Sequence, residues 1–478
     1  MLFNSFNFII FIIIFIPLYY ATSGKLRLWL CLISSYIFYG WWNYRYLSLI
    51  IVLTLINYYC ALTISSQPQL KKKKFFLFIS ILVPLTLLGF FKYNNFFINN
   101  INHIFYFLGF EFNVKHLQLI LPVGISFYTF QAMSYTIDVY RNTIKPERSI
   151  LIFATYIAFF PQLVAGPIVR ASCLIPQLKT DRSFNSEDII NGIYFIVWGF
   201  FLKVVVADSL SMVVDIRFDT PEIQNALSLI IGTIFYSYQI YGDFAGYSLI
   251  AIGIARILGF KFPVNFNKPF FSSNVIELWQ RWHISLSLWI RDYLYIPLGG
   301  SKLGKFRQYI NICITMMLTG LWHGANWTFV FWGGIHGIFL ILYRLLLDLF
   351  GKTKLSIPSI PILNNLMKVM NILFVFILFC FAAIFFRSNN LHDSLLIIKT
   401  IIHFDDYSFS AVTQKFHVIK GMMLIIFLII CEGVSVWFNT KNFINNHPNI
   451  TMIWTAFILV LISLFGTFGN NAFIYFQF

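Results

Sequence analysis

Charge is what this sequence has least of. Only 11% of its 478 residues are charged, with 18 Asp and Glu against 34 Lys and Arg. A soluble chain of this length needs far more polar surface to cover its core, so a soluble protein is excluded. The alternating apolar and polar positions of a membrane barrel are also missing, which argues against strands. The six cysteines, at 31, 60, 173, 313, 380 and 431, form no CxxC pair and lie mostly inside apolar runs. That pattern fits small buried hydrophobes, neither disulfides nor a zinc site. HExxH and GxSxG are both absent, so neither a zincin helix nor a serine nucleophile elbow is present. No Lys or Arg precedes the apolar run Phe8–Tyr20, which removes the basic region a signal peptide would need. No hydrophilic stretch is long enough for a second soluble domain. No internal repeat stands out either, which weakens an inverted-repeat transporter.

What the sequence does have is apolar length. Hydrophobic residues make up 59%, Phe alone numbers 57, and the mean hydropathy is +0.76. Runs near the ~20 residues that span a hydrocarbon core recur from end to end. Candidate spans lie near 6–22, 27–44, 46–65, 75–92, 117–135, 150–168, 189–208, 226–257, 309–322, 325–349, 367–387, 418–438 and 451–469. The expected fold is an all-α polytopic membrane protein in which residues 1–478 form a single membrane-embedded domain. The formal charge of +16 would suggest nucleic acid in a soluble protein. Here the bases flank spans, and orientation of the chain is the better reading, with no nucleic acid. Lys71–Lys74 should be cytoplasmic, and three spans counted back from it put the N-terminus outside. The same cue puts Asn94–Asn102 outside. Polar segments around 170–188 and 258–281 suit loops or interfacial helices.

Residues 258–337 differ from the rest. Apolar blocks shorten there while Trp, His, Arg, Asp and Gly concentrate, and polar groups at membrane depth usually face a cavity. Read as one helix, Glu277–Tyr293 sets Trp279, His283 and Ser287 on one face at four-residue spacing. Arg281, Trp282, Ser285, Trp289 and Asp292 lie elsewhere around it. An interfacial helix anchored by Trp and Arg accounts for the same pattern equally well. Farther on, Gly320-Leu321-Trp322-His323-Gly324-Ala325-Asn326-Trp327 and Phe331-Trp332-Gly333-Gly334-Ile335-His336-Gly337 place two histidines in a Gly- and Trp-rich segment. Small residues let helices approach closely, and a neutral imidazole still moves protons near pH 7. The alternative is that these histidines bond across helices. Three His without an acidic or Cys neighbour at ligand spacing leave no metal site. Asp243, and Lys203 with Asp208, Arg387 and Glu432, are candidates for structural pairing inside the membrane.

The segment Trp282–Gly300 followed by Gly320–Phe329 resembles the membrane-bound O-acyltransferase family, and in particular its bacterial alginate O-acetylase branch. Leu121–Gln131, Phe160–Ile168, Asp243–Ser248 and Asn265–Phe270 extend the resemblance in order along most of the chain. The resemblance implies roughly 11–13 transmembrane or re-entrant helices around a central tunnel. It also implies a catalytic role for His323 in the Gly-Leu-Trp-His-Gly motif, and a supporting one for His283. His336 matches a third histidine of the acetylase branch. Trp282, Trp322, Asn326, Trp327, Arg291, Asp292 and Asp243 are the remaining expected substrate and tunnel residues.

The implied donor is acetyl-CoA, with Lys302, Lys305 and Arg307 facing its phosphates or, equally, lipid headgroups. The implied acceptor is an envelope or secreted polysaccharide, alginate-like or peptidoglycan, reached through an extracytoplasmic acetyltransferase partner. The location would be the bacterial cytoplasmic (inner) membrane. D-alanyl transfer to teichoic acid, a glycan transporter or flippase, and an envelope scaffold are the competing readings.

Overall fold

A computed structural model describes all residues except 111–112, 165, 351–360, 404–406, 438–446, 470–472 and 475–478. Among the described residues the secondary structure is helical throughout, with no strand. Eight helical stretches among the described residues are long and apolar enough to cross a membrane. Lipid offers backbone groups no hydrogen-bond partner, so a chain this apolar closes its bonds within helices. The chain is an all-α, multi-pass membrane protein.

The chain divides into two compact units. The first comprises Met1–Ile196 and Ser248–Pro263. It holds α1 (Phe6–Ala21), α2 (Gly24–Asn43), α3 (Leu47–Ser66), α4 (Leu70–Leu88), α5 (Asn94–Phe107), α6 (Ile125–Tyr140), α7 (Ile150–Ala158), α8 (Phe160–Leu163) and α9 (Ala171–Leu178). A buried hydrogen bond of 2.8 Å from Thr136 to Asn57 ties α6 to α3.

Two expectations shift here. The span expected at 150–168 is broken after Ala158, where Phe159 is extended and Pro161 sits at the start of α8. Pro161 has no N–H to bond back into a preceding turn, so it is tolerated in the first turn of a new helix but not in the interior of a continuous one. The span expected at 117–135 begins at Ile125, after Pro122 and a left-handed Gly124. The Asn-rich stretch is helical, and its side chains hold the chain that follows. Asn95 exchanges two hydrogen bonds with the backbone of Leu117, at 2.9 and 3.0 Å.

The second unit comprises Val197–Tyr247 and Val264–Phe478. Helices α10 (Ser186–Phe200) and α12 (Ala226–Ile257) run through both units. Between α10 and α11 (Asp208–Asp219) lies a π-helical segment, Phe201–Ala207. It carries the buried Lys203, which pairs with Asp208 at 2.9 Å and with Asp243 of α12 at 2.6 Å. The expected pairing of Lys203 therefore has a second carboxylate. Arg387 pairs with Asp215 and Asp219, and Glu432 accepts a 2.5 Å hydrogen bond from Tyr241. The remaining helices are α13 (Val275–Arg281), α14 (Ile284–Ile290), α15 (Lys305–His323), α16 (Trp327–Phe350), α17 (Pro361–Arg387), α18 (Leu391–Ile402), α19 (Lys415–Trp437) and α20 (Pro448–Phe465).

Candidate active site

The run Glu277–Tyr293, expected as one helix, is two short helices with a π-helical extension over Arg291–Tyr295. The break falls at Trp282 and His283, and His283 has φ +41°, in the left-handed region. A non-glycine residue there costs about 1–3 kcal/mol unless its surroundings hold it. The Asn265–Lys268 stretch does the holding. Ile284 N–H donates to Asn265 O at 2.8 Å, Ser285 hydroxyl to Asn265 Oδ1 at 2.9 Å, and Asn267 N–H to Arg281 O at 2.9 Å. Asn274 caps α13, and Glu277 and Arg281 pair at 2.6 Å along it. The break turns His283 and Trp282 inward together, an arrangement that a continuous helix would not give.

His323 arrives on the last turn of α15. Where α15 crosses α16 the backbones touch: a Cβ on Gly320 would stand 2.0 Å from the Phe329 carbonyl oxygen, and one on Gly333 2.1 Å from that of Met316. Only glycine fits such a crossing. It sets Trp332 against His323, with ring centroids 5.0 Å apart, and His336 one turn farther along α16.

The structure gathers His283, His323, His336, Trp282 and Trp322 in one buried cluster. The rings of His283 and His323 are 6.4 Å apart, and Trp322 lies 5.8 Å from the first and 5.0 Å from the second. All three histidines are at most 2% exposed. Burial holds the imidazole of His283, which lies outside the spanning helices, well below its ordinary value, at about 3. It is therefore neutral in any physiological pH range.

His323 opens on a void of about 10 Å³, walled by Trp282, Trp332, Phe379 and Phe386 among others. That is room for about one water-sized group. A second cavity, of about 230 Å³, runs between α14, α15 and α16. Trp279 and Thr319 line it, as do Tyr295, Arg291 and Arg344. Trp279 and Trp332 meet at 5.8 Å, so the wall of one space touches the wall of the other. Four buried polar atoms on residues of the larger cavity have no hydrogen-bond partner among the described residues: Trp279 Nε1, Tyr295 Oη, Thr315 Oγ1 and Arg344 Nε. Buried polar atoms are rarely left so in a native interior.

Other expected residues stand elsewhere. Arg291 lines the larger cavity and is paired with its neighbour Asp292 at 2.7 Å. Asn326 accepts the Thr328 N–H at 3.0 Å and donates to Asn389 O at 3.0 Å, the work of a helix cap. Trp327 is 48% exposed and lines neither space. Asp243 faces Lys203 and the Ile474 N–H, away from both. Among the described residues no group of His, Cys, Asp and Glu could hold a metal. Phe386 and Arg344 were not singled out from sequence, whereas Trp279 and Trp332 were named there only for their spacing and motif, without a role at the site. For Trp279 the signal was its four-residue spacing from His283, and for Trp332 its place between Gly320's partner helix and His336.

Residues 36–386, which include all of this cluster, match the model of MBOAT, the membrane-bound O-acyltransferase family. The chain belongs to that family. It is an O-acyltransferase. It is 35% identical to the "Probable alginate O-acetylase AlgI" of Pseudomonas putida, with both chains covered in full. It is 34% identical to the peptidoglycan O-acetyltransferase of Helicobacter pylori, over 81% of this chain and 76% of that one. Similarity to the teichoic acid D-alanyltransferase of Bacillus subtilis is lower, 28% over 58% of this chain and 71% of the relative.

Proposed function

We propose that this O-acyltransferase moves acetyl from acetyl-CoA, presented on the cytoplasmic side, to a hydroxyl on the way to an envelope or secreted polysaccharide. The observation that carries the proposal is the pair of buried imidazoles, His283 and His323, 6.4 Å apart in an aromatic enclosure. His323 takes the proton of the acceptor hydroxyl as its oxygen attacks the thioester carbonyl. His283, neutral and buried, donates a hydrogen bond to the oxygen on which negative charge develops. The thiolate then leaves and receives the proton from His323. The enclosure of Trp282, Trp332, Phe379 and Phe386 keeps water from the thioester.

The larger cavity takes the donor arm. Its unpartnered Trp279, Thr315 and Tyr295 groups suit the amides of a pantetheine chain, and Arg344 and Arg291 suit its phosphates. Lys305, by contrast, is engaged with Asp348 at 2.9 Å. The void beside His323 is small, which favours a short acyl group over a long one.

The named activities of the relatives support an alginate-like polymer or peptidoglycan as the final acceptor. An extracytoplasmic acetyltransferase partner would complete the transfer. The bacterial cytoplasmic membrane, with the N-terminus outside and Lys71–Lys74 inside, is the setting that the charge pattern favours.

The test is polysaccharide O-acetyl content in cells carrying wild-type or His323→Ala protein at equal membrane abundance. Loss of ester with normal polymer export is the expected result. Unchanged ester would sink the assignment of His323, and lost export instead would favour a transporter.

A further inference from the structure

After α20 the chain turns back into the interior of its unit. Thr467 N–H donates to Val204 O at 2.8 Å, and its hydroxyl lies 3.1 Å from Ser209 Oγ. Phe473 is 1% exposed and Ile474 8%. The Ile474 N–H donates to Asp243 Oδ2 at 2.7 Å, while the other carboxylate oxygen of Asp243 faces Lys203. The Phe473 ring packs against Tyr247 at 4.8 Å and Phe244 at 5.6 Å. Phe244 in turn stands edge-on to His283 with ring centroids 4.5 Å apart.

A backbone N–H drawn into an apolar interior needs an acceptor. Asp243 supplies one and is itself paired with Lys203 at 2.6 Å, at the cost of burying both partners. A segment that served only to end the last span would not require that outlay. Asp243 lines neither cavity, and its two oxygens serve Lys203 and the segment it holds. The contacts then continue, ring by ring, to a histidine of the site.

We propose that Phe473–Ile474 is a positioning element of the acyl-transfer site. Asp243 clamps the segment, Phe473 buttresses Phe244, and Phe244 fixes the ring of His283. His283 already sits in a strained backbone conformation, so its ring direction depends on what is packed behind it. This rests on the acyl-transfer reading of His283 and His323. No new chemistry is asked of Phe473: it acts through Phe244, and the donor cavity is built from other residues.

The experiment uses the full chain in its membrane, with acetyl-CoA as the varied donor and ester formation as the readout. Phe473→Ala should lower kcat at least about tenfold, as expected for a displaced catalytic group. The KM for acetyl-CoA should stay within about twofold, because the donor contacts are untouched. Phe473→Leu, which refills the space, should restore most of the rate. Unchanged kcat in Phe473→Ala, or a loss that falls on KM instead, overturns the proposal. Absence of ester from the wild-type chain would count against the acyl-transfer reading itself.

A second measurement does not depend on activity. Phe473→Cys is treated with maleimide in folded membranes and read by peptide mass spectrometry beside the exposed Cys173. Protection relative to Cys173 supports the buried seat, and equal reactivity overturns it.

Discussion

Gly320 and Gly333 meet backbone to backbone, and that contact sets where His323 stands. The amide nitrogen of each lies 3.2 Å from the position a Cβ on the other would occupy. With α15 and α16 held this close, Trp332 reaches both His323 and His336, at 5.0 and 4.9 Å. Gly320→Ala should therefore disturb fold and site together. Overpacking of this kind costs about 1–3 kcal/mol. A lowered thermal midpoint in detergent, with reduced ester formation, is the expected outcome. An unshifted midpoint would mean that the crossing is looser than these distances.

Trp332 closes the void beside His323, and its removal should widen acyl specificity. A pocket that discriminates by single methylenes does so by about 1–3 kcal/mol each. Trp332→Ala should raise the rate with butyryl-CoA relative to acetyl-CoA by at least about tenfold. Competition between the two thioesters, read by mass spectrometry of the ester formed, measures this ratio. A ratio equal to wild type would place the size limit elsewhere.

Arg344 is the guanidinium of the larger cavity whose Nε is buried and unpartnered. Charge-assisted hydrogen bonds are worth about 1.5–3 kcal/mol. Arg344→Ala should raise the acetyl-CoA KM by about tenfold or more and leave kcat close to wild type. A variant with normal KM would remove Arg344 from the donor site.

Lys203 is paired with two buried acids, Asp208 and Asp243. Lys203→Met strips the cation and leaves both acids in an apolar interior. Breaking a buried pair in this way costs about 3–5 kcal/mol. Membrane abundance should fall sharply, and Lys203→Arg should recover part of it. Normal abundance of Lys203→Met would show that the acids tolerate each other when protonated.

Much of this was legible in the chain. Apolar length gave the all-helical membrane class, and the 226–257 span has the same bounds in the structure. Concentrated Trp, His and Gly in 258–337 pointed to the segment in which the buried histidine cluster lies, because polar groups at membrane depth need a reason. The boundaries that moved did so at Pro122, Gly124 and Pro161, where backbone chemistry overrides hydropathy. The break at His283 was hidden. Glu277–Tyr293 has helical periodicity throughout, and the acceptors that stabilise the left-handed residue come from Asn265, eighteen residues upstream of His283 by number.

The sequence by itself determined the solvent this protein lives in, the helical form of its chain, and the residue types available for chemistry. These follow from local properties: hydropathy, spacing and the presence of ionisable groups where few are tolerated. Only the tertiary structure decided which of those residues work together. It brought His283 to His323, gave Asn326 to a helix end, left Trp327 half exposed, and drew Asp243 away to Lys203 and the segment after α20. It also added Arg344 and Phe473, which no local pattern marked. The reason is that periodicity fixes the face a side chain occupies on its own helix. What that face meets is fixed by crossings such as Gly320 against Gly333, where two distant stretches of chain touch.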